Sequence, residues 1–464
     1  MPFRQDHTTM HETICAPSTP AGGAIGIIRV SGPQSIAFAD CFFTSPSGQP
    51  LSAAKGQTLH FGTLSDANGN IIDEVLLSLF RAPHSYTGED AVEISCHGSR
   101  FIMNAIMERL IQLGCRQAQP GEYTQRAFLN GKIDLSQAEA VADLIAANSR
   151  ASHRTAMSQL RGHFSSELSQ LREQLLKLTS LLELELDFSE HEDLEFADRS
   201  ELLQLAQTIN DNLSKLLHSF RTGQAIKQGI PVAIIGKTNV GKSTLLNQLL
   251  HDDRAIVSNI HGTTRDVIED TTDINGITFR FIDTAGIRQT TDTVESLGIE
   301  RTYKKNAEAS IILWVIDAQP SAEDISEIQR LTEEKSLIIV QNKIDKDDHR
   351  FAFTLLSHSV PSISISAKLG TGISELESAI YSAAHLDDWQ ENTTIITHAR
   401  HYEALLRAQE SLSRVIDGLH HQLYSDLLAE DLRITLSHLG EITGGNITPD
   451  ETLQNIFKHF CVGK

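Results

Sequence analysis

Four short stretches in the second half of the chain carry residue types suited to phosphate and base chemistry. Gly236–Ser243 reads G-K-T-N-V-G-K-S, Asp283–Gly286 reads D-T-A-G, Asn342–Asp345 reads N-K-I-D, and Ser366–Lys368 reads S-A-K. In the first, Gly236 and Gly241 permit a tight loop whose backbone N–H groups face phosphate oxygens. Lys242 reaches the β and γ phosphates, and the Ser243 hydroxyl suits Mg²⁺. Asn239, Val240 and Thr244 complete the loop and the start of a helix, whose N-terminus favours an anion. Asp283 is the carboxylate that supports Mg²⁺ from a strand end. Thr284 and Ala285 lead from it to Gly286, whose N–H can meet the γ-phosphate and so sense hydrolysis. Asp345, behind Asn342 and Lys343, can accept two hydrogen bonds from the guanine N1–H and N2–H₂ edge. Adenine offers no such pair, and a site built for absent donors rejects the analogue. The backbone of Ser366, Ala367 and Lys368 can contact guanine O6. One such motif arises by chance; four in this order specify a GTP-binding domain.

Two departures qualify the hydrolysis chemistry. A glutamine commonly follows D-T-A-G in small Ras-type GTPases and positions the attacking water. Ile287 stands there instead, so a polar group must come from elsewhere. Asn239 carries an amide oxygen that could ligate a monovalent cation along the phosphates; the alternative is an ordinary turn asparagine. Between the first two motifs, Ser258–Asp266 reads S-N-I-H-G-T-T-R-D. A threonine here can supply a second Mg²⁺ ligand, and the polar, glycine-containing stretch reads as a switch loop. Arg265 and Asp266, which close it, are candidate catalytic groups.

These groups need strands and helices to hold them. Pro231–Gly236, Arg280–Ile282, Ser336–Val340 and Ile363–Ile365 are short apolar runs, as buried strands require. Lys242–Asn247 begins a helical pattern. Upstream, Ala24–Val30, Leu76–Phe80 and Ala91–Ser95 read as strands, Asp66–Asn70 as a hairpin turn, and Arg100–Leu113 as a helix. From Gly121 to Gln228 the pattern is helical. Met157, Leu160, Phe164, Leu168, Leu171, Leu175, Leu178 and Leu182 recur at three- and four-residue steps and predict one buried face of a long helix. The acidic run Glu183–Glu195 reads as a solvated turn rather than a metal site. Thr397–Leu419 and Leu423–Leu439 are helical again. The fold expected is multidomain: an α+β domain over 1–120, a helical domain over 121–228 and 387–464, and an α/β P-loop (Ras-like) GTPase domain over 229–386 inserted into it.

The chain has 464 residues, 40% hydrophobic and 21% charged, with a net charge of −21. That balance argues against a surface that binds nucleic acid throughout, though not against a local basic patch, and it disfavours anionic lipid. No stretch spans a bilayer, and Met1–Met10 lacks an apolar signal core. Five scattered cysteines fit a reducing cytosol.

Beyond these patterns, the whole chain resembles the MnmE (TrmE) family of tRNA-modifying GTPases. The residues that carry the resemblance are G-A-I-G-I-I-R-V at Gly23–Val30, S-Y-T-G-E-D-A-V-E at Ser85–Glu93, and P-G-E-Y-T-Q-R-A-F-L-N-G-K at Pro120–Lys132. D-L-S-Q-A-E-A-V-A-D-L-I at Asp134–Ile145, G-T-T-R-D at Gly262–Asp266 and the terminal F-C-V-G-K at Phe460–Lys464 complete them. The resemblance implies K⁺-activated GTP hydrolysis in a cytoplasmic homodimer whose G domains meet across the dimer. With the flavoprotein MnmG, the family adds an aminomethyl-type group at C5 of the wobble uridine of certain tRNAs. The one-carbon donor is 5-formyl- or 5,10-methylene-tetrahydrofolate, bound by the N-terminal domain, which is folate-binding-like.

By motif, the resemblance puts K⁺ on Asn239, Ser258, Ile260 and Thr263, and Mg²⁺ on Ser243 and Thr264. It makes Glu295 the group that orients the attacking water; read from sequence alone, Glu295 is an exposed carboxylate at a helix start. It maps folate onto Arg29, Glu93, Lys132 and Lys464, where cations suit glutamyl carboxylates and a carboxylate suits pterin donors. Cys461 is either a nucleophile toward a one-carbon unit or a packed thiol. The last four residues fit only the loose form of a prenylation box, and Lys464 is no usual terminus for one. Two rivals are a GTP-dependent ribosome-assembly or RNA-chaperone switch, which predicts a basic appendage, and a membrane-remodelling GTPase, which predicts a membrane segment. Neither feature is evident.

Overall fold

The computed structural model describes residues 12–188, 199–250, 270–282, 308–332, 335–346, 360–384 and 394–445, together with 453, 456–458, 460 and 463. The chain divides into two compact units, one of residues 1–142, 159–180 and 429–464, the other of 143–158 and 181–428.

In the first unit, strands β1 (Ile14–Pro17), β2 (Ile25–Ser31), β3 (Phe43–Thr44), β4 (Thr58–Ser65), β5 (Ile71–Phe80), β6 (Ala91–His97) and β7 (Arg116–Gln117) form one sheet. Its order is β3-β4-β5-β6-β2-β1-β7, antiparallel except for the β1–β7 pair. Side chains alternate along β5: Asp73, Val75, Leu77 and Leu79 are buried while Glu74 and Leu76 are exposed, the signature of a sheet with one covered face. Helices α1 (Ser35–Asp40) and α2 (Arg100–Gln112) cover it; Met103, Ile106 and Leu110 of α2 join Ile28, Leu77 and Ile94 in one core. The expected turn Asp66–Asn70 joins β4 to β5, with Asp66 Oδ1 accepting the Asn68 and Asn70 N–H groups, both at 2.8 Å.

Further helices are α3 (Glu122–Leu129), α4 (Leu135–Ala146), α5 (Arg150–Leu160), α6 (His163–Phe188) and α7 (Arg199–Gln228). The apolar stripe is thus divided between two helices. Gly162, at φ +82°, ends α5 before α6 begins, because a left-handed residue cannot continue an α-helix. Phe164, Leu168, Leu171, Leu175, Leu178 and Leu182 are buried as the periodicity requires, but Met157 and Leu160 only partly. The acidic run is also shorter as a turn than expected, since α6 extends through Glu183 to Phe188.

The second unit holds strands β8 (Ile230–Ile235), β9 (Asp270–Ile274), β10 (Ile277–Ile282), β11 (Ile311–Ile316), β12 (Ser336–Gln341) and β13 (Ser362–Ser364), with helices α8 (Lys242–Leu249), α9 (Ala322–Leu331) and α10 (Ile373–Ala383). The sheet order β13-β12-β11-β8-β10-β9 is parallel except for the edge pair β9–β10. All six residues of β11 are buried, as a central parallel strand covered on both faces must be. Phe279 and Phe281 are fully buried, each worth about 1.5–3 kcal/mol on burial. Helices α11 (Ala399–His420) and α12 (Ser425–Thr443) follow, α11 packing on α7 with Phe220 stacked on Tyr402 at 4.5 Å. The architecture is multidomain, with a mixed α/β P-loop module flanked in sequence by helices. Among the described residues, no helix is long and apolar enough to cross a membrane.

Candidate functional site

The phosphate loop springs from the end of β8 and returns as α8. Gly241, at φ +102°, caps the helix, and a Cβ there would lie 2.2 Å from the Asn342 amide nitrogen. Only glycine therefore fits between the loop and the neighbouring strand end. Lys242 Nζ donates to Gly236 O and Lys237 O, both at 2.7 Å. Partial burial holds its ammonium pKa below the ordinary lysine value. Ser243 and Thr244 occupy the first turn of α8, where the helix dipole suits an anion. Asn239, at φ +62°, offers its carbonyl to Lys343 Nζ at 2.7 Å.

The base loops are fastened to the phosphate loop through Asn342. Its Nδ2 donates to Val240 O at 2.8 Å and its Oδ1 accepts the Ala367 N–H at 3.0 Å. The amide is thereby spent on bracing three loops, a different role from direct contact with a base. Lys343 also pairs with Asp317 at 2.6 Å. Asp317 ends the all-apolar run Ile311–Ile316; that run is a strand signal sequence reading passed over. Asp345 is exposed and its Oδ1 accepts from Ser366 Oγ at 2.7 Å. That hydroxyl, with the residue's own backbone N–H and the Lys368 and Lys346 charges, holds the carboxyl below the usual aspartate range, so it is ionised and able to accept two donors. Lys368 is exposed beside it.

In the first unit a second constellation forms around Arg29. Arg29 on β2 faces Glu93 on β6 in register, with Nε and Nη2 at 2.8 and 2.7 Å from Oε1. Its Nη1 lies 3.4 Å from Gly463 O, and Ser18 Oγ donates to the same carbonyl at 3.2 Å. The guanidinium sits 5.6 Å from the Tyr86 ring and 5.5 Å from the Tyr123 ring, within cation–π range. Neither tyrosine was a sequence candidate, although both lie in stretches quoted above. The loop bearing Tyr86 is held from α3: Tyr86 OH meets Thr124 Oγ1 at 2.9 Å, and buried Arg126 reaches Glu89 and Glu122, each at 3.0 Å. Lys132 Nζ donates to Pro83 O at 2.9 Å, at the base of the same loop. The structure thus brings together Arg29, Glu93 and Gly463, while Lys132 binds backbone nearby.

Ser258, Ile260, Thr263, Thr264, Arg265, Asp266, Asp283, Thr284, Ala285, Gly286, Glu295, Cys461 and Lys464 lie outside the described residues. No group of three or more histidine, cysteine or acidic side chains among the described residues could hold a metal ion.

Comparison with known proteins bears on both sites. Residues 13–132 match a family model described as GTP-binding protein TrmE N-terminus, and 135–461 match the MnmE helical domain. The chain is 56% identical to the tRNA modification GTPase MnmE of Bacteroides fragilis, with 98% of this chain and 99% of that one covered. The protein of the same name from Bacteroides thetaiotaomicron is 55% identical with the same coverage, and that from Porphyromonas gingivalis 50% identical over 99% of both chains.

Proposed function

The chain belongs to the MnmE family of tRNA modification GTPases, and on that premise we propose that GTP hydrolysis here serves modification of the wobble uridine. As a family member it is a GTP hydrolase of tRNA modification. The observation that carries the nucleotide side is the Asn342 brace, which joins the phosphate loop at Val240 to the base loop at Ala367. Lys242 and the first turn of α8 then hold the phosphates, and the Asp345 carboxylate takes the guanine edge.

Ser243 and Thr264 hold Mg²⁺, and Asn239, Ser258, Ile260 and Thr263 hold K⁺. A bound K⁺ supplies positive charge toward the phosphates where other GTPases use an arginine. Glu295 orients the attacking water in place of the glutamine that Ile287 replaces, and Arg265 and Asp266 of the switch stretch are further catalytic groups. Arg29, Glu93, Lys132 and Lys464 bind 5-formyl- or 5,10-methylene-tetrahydrofolate, with the Tyr86 and Tyr123 rings within cation–π range of Arg29, and Cys461 serves either as a nucleophile toward the one-carbon unit or as a packed thiol. The protein works as a cytoplasmic homodimer with MnmG on tRNA, and its P-loop domain, 229–386, is an insertion between the two parts of the helical domain.

Mass analysis of tRNA nucleosides from a strain lacking this protein tests the reading: wobble uridine unmodified at C5 is expected, and a normal profile overturns it. Exchanging K⁺ for Na⁺ in a GTPase assay should slow turnover sharply; equal rates would remove Asn239 from cation binding.

A further inference from the structure

The end of α4, the start of α5 and the link between them grip the P-loop module and its connections at separate points. The Asp143 carboxylate takes Lys227 Nζ on Oδ1 and His398 Nε2 on Oδ2, both at 2.8 Å. Lys227 stands three residues before β8, where the chain enters the module. His398 caps α11 just after Ile395, which belongs to the module's core cluster. One carboxylate therefore ties both covalent links of the module.

The second grip is on the β9–β10 hairpin. Asn275 and Gly276, at φ +54° and +85°, form its two-residue turn, the left-handed pair that a tight hairpin requires. Gly276 O accepts the Ala151 N–H at 2.9 Å, and Thr278 Oγ1 donates to Asn148 Oδ1 at 3.2 Å. Ala151 lies in the first turn of α5, where backbone N–H groups have no intrahelical acceptor, so the hairpin satisfies a donor the helix leaves open. Ala151 is itself fully buried, clustered with Ile226, Ile230 and Ile395.

Position in the sequence gives this grip its meaning. Only residues 267–269 separate Asp266 from β9, and β10 runs directly into Asp283. The two strands are locked in register from Ile277↔Ile274 to Phe281↔Asp270, so a displacement at the turn is carried to the other ends. Those ends lead into the two stretches expected to meet the γ-phosphate and Mg²⁺.

We propose that Asn148 and the first turn of α5 are positioning groups for GTP hydrolysis, acting from outside the P-loop module through the β9–β10 hairpin. The test measures kcat and KM for GTP in the full chain with Asn148→Ala, Thr278→Val and the pair combined. Each single change should lower kcat about three- to tenfold, a hydrogen bond's worth read as rate, with KM unchanged. The combined variant should be no slower than either one, because both remove the same contact. Asn148→Asp keeps an acceptor and Thr278→Ser keeps a donor, so both should restore kcat. Wild-type kcat in the single variants, losses that multiply in the combined one, or a lower melting midpoint without a change in kcat overturns the proposal. Should these variants fail to fold, hydrogen exchange decides it in the unaltered protein. Amides of the first turns of α5 should differ in protection between GDP and a non-hydrolysable GTP analogue, and equal protection overturns it.

Discussion

In the six-stranded sheet, each described candidate for phosphate or base contact lies in the loop or first helical turn that follows a parallel strand. Asn239–Thr244 follow β8, Asn342–Asp345 follow β12 and Ser366–Lys368 follow β13. In the seven-stranded sheet, Arg29 and Glu93 stand mid-strand as cross-strand partners, and their neighbour Gly463 is 434 residues away from Arg29. Parallel strands deliver loops to one edge, so chemistry there is written in contiguous residues. An antiparallel sheet makes chemistry from side chains opposed across strands, so its site is scattered in sequence. If this contrast is real, the two sites should fail separately when altered.

The largest separation is expected from Lys242→Ala. Removing a positioned donor to the transferring phosphate typically costs about 10²–10³-fold in turnover. GTP hydrolysis should fall by that order while tetrahydrofolate binding, followed by isothermal calorimetry, stays at its wild-type value. Loss of folate binding in the same variant would mean that the two sites are one energetic system.

Arg29→Ala is the converse change. Hydrogen bonds to a charged group are worth about 1.5–3 kcal/mol, roughly 10–100-fold in affinity. Tetrahydrofolate affinity should drop by that factor and kcat for GTP should not move. Because the guanidinium lies within cation–π range of two aromatic rings and pairs with Glu93, Arg29→Lys should recover only part of the loss. Full recovery would show that charge alone, without planar geometry, makes this site.

The same contrast explains what could be read in advance. The P-loop module was legible because its glycines, lysine and acidic residues fall within eight-residue windows after apolar runs, and periodicity locates such runs well. Strand β9 with its Asn275–Gly276 turn was readable in principle, yet D-T-T-D-I is too polar to stand out beside apolar runs such as Ser336–Val340. The Arg29 site was placed only by resemblance to a family, since nothing local in G-I-I-R-V says which strand lies opposite. Tyr86 and Tyr123 were missed because a tyrosine gains its role from the cation it flanks, and that pairing exists only in three dimensions. The break at Gly162 was missed because a stripe of leucines keeps its period across a turn whose residues are few.

Acid should separate the units more gently. Burial pulls the Glu122 carboxyl pKa upward, but Arg116, the Gln119 N–H and Arg126 together hold it below the ordinary glutamate value. A carboxylate with a depressed folded-state pKa stabilises the fold above its unfolded pKa, and that contribution is lost as pH falls through the folded value. From about pH 5 downward, the melting midpoint of the protein should therefore fall, and Glu122→Gln should flatten this dependence while lowering the midpoint at neutral pH. A slope unchanged by the substitution would remove the Arg116–Glu122–Arg126 network from acid sensitivity.

The smallest effect should come from Ser366→Ala, and its size depends on what the hydroxyl does for Asp345. Donation from Ser366 Oγ is the largest cause of the depressed Asp345 pKa. Without it the carboxyl returns toward the ordinary aspartate range, still far below neutrality. At pH 7 the residue remains ionised, so only its orientation is lost, and GTP affinity should weaken roughly threefold. Near pH 4–5 the variant should lose guanine affinity first, because a larger fraction of its Asp345 is protonated there than in wild type. The measurement is GTP affinity across this pH range set against the inosine nucleotide, which lacks the 2-amino donor. A weakening equal at both pH values would show that Ser366 only aims the carboxylate. A weakening confined to acid would show that it acts by keeping the carboxylate charged, and thus that the base site, unlike the Arg29 pair, relies on a neutral neighbour rather than an opposite charge.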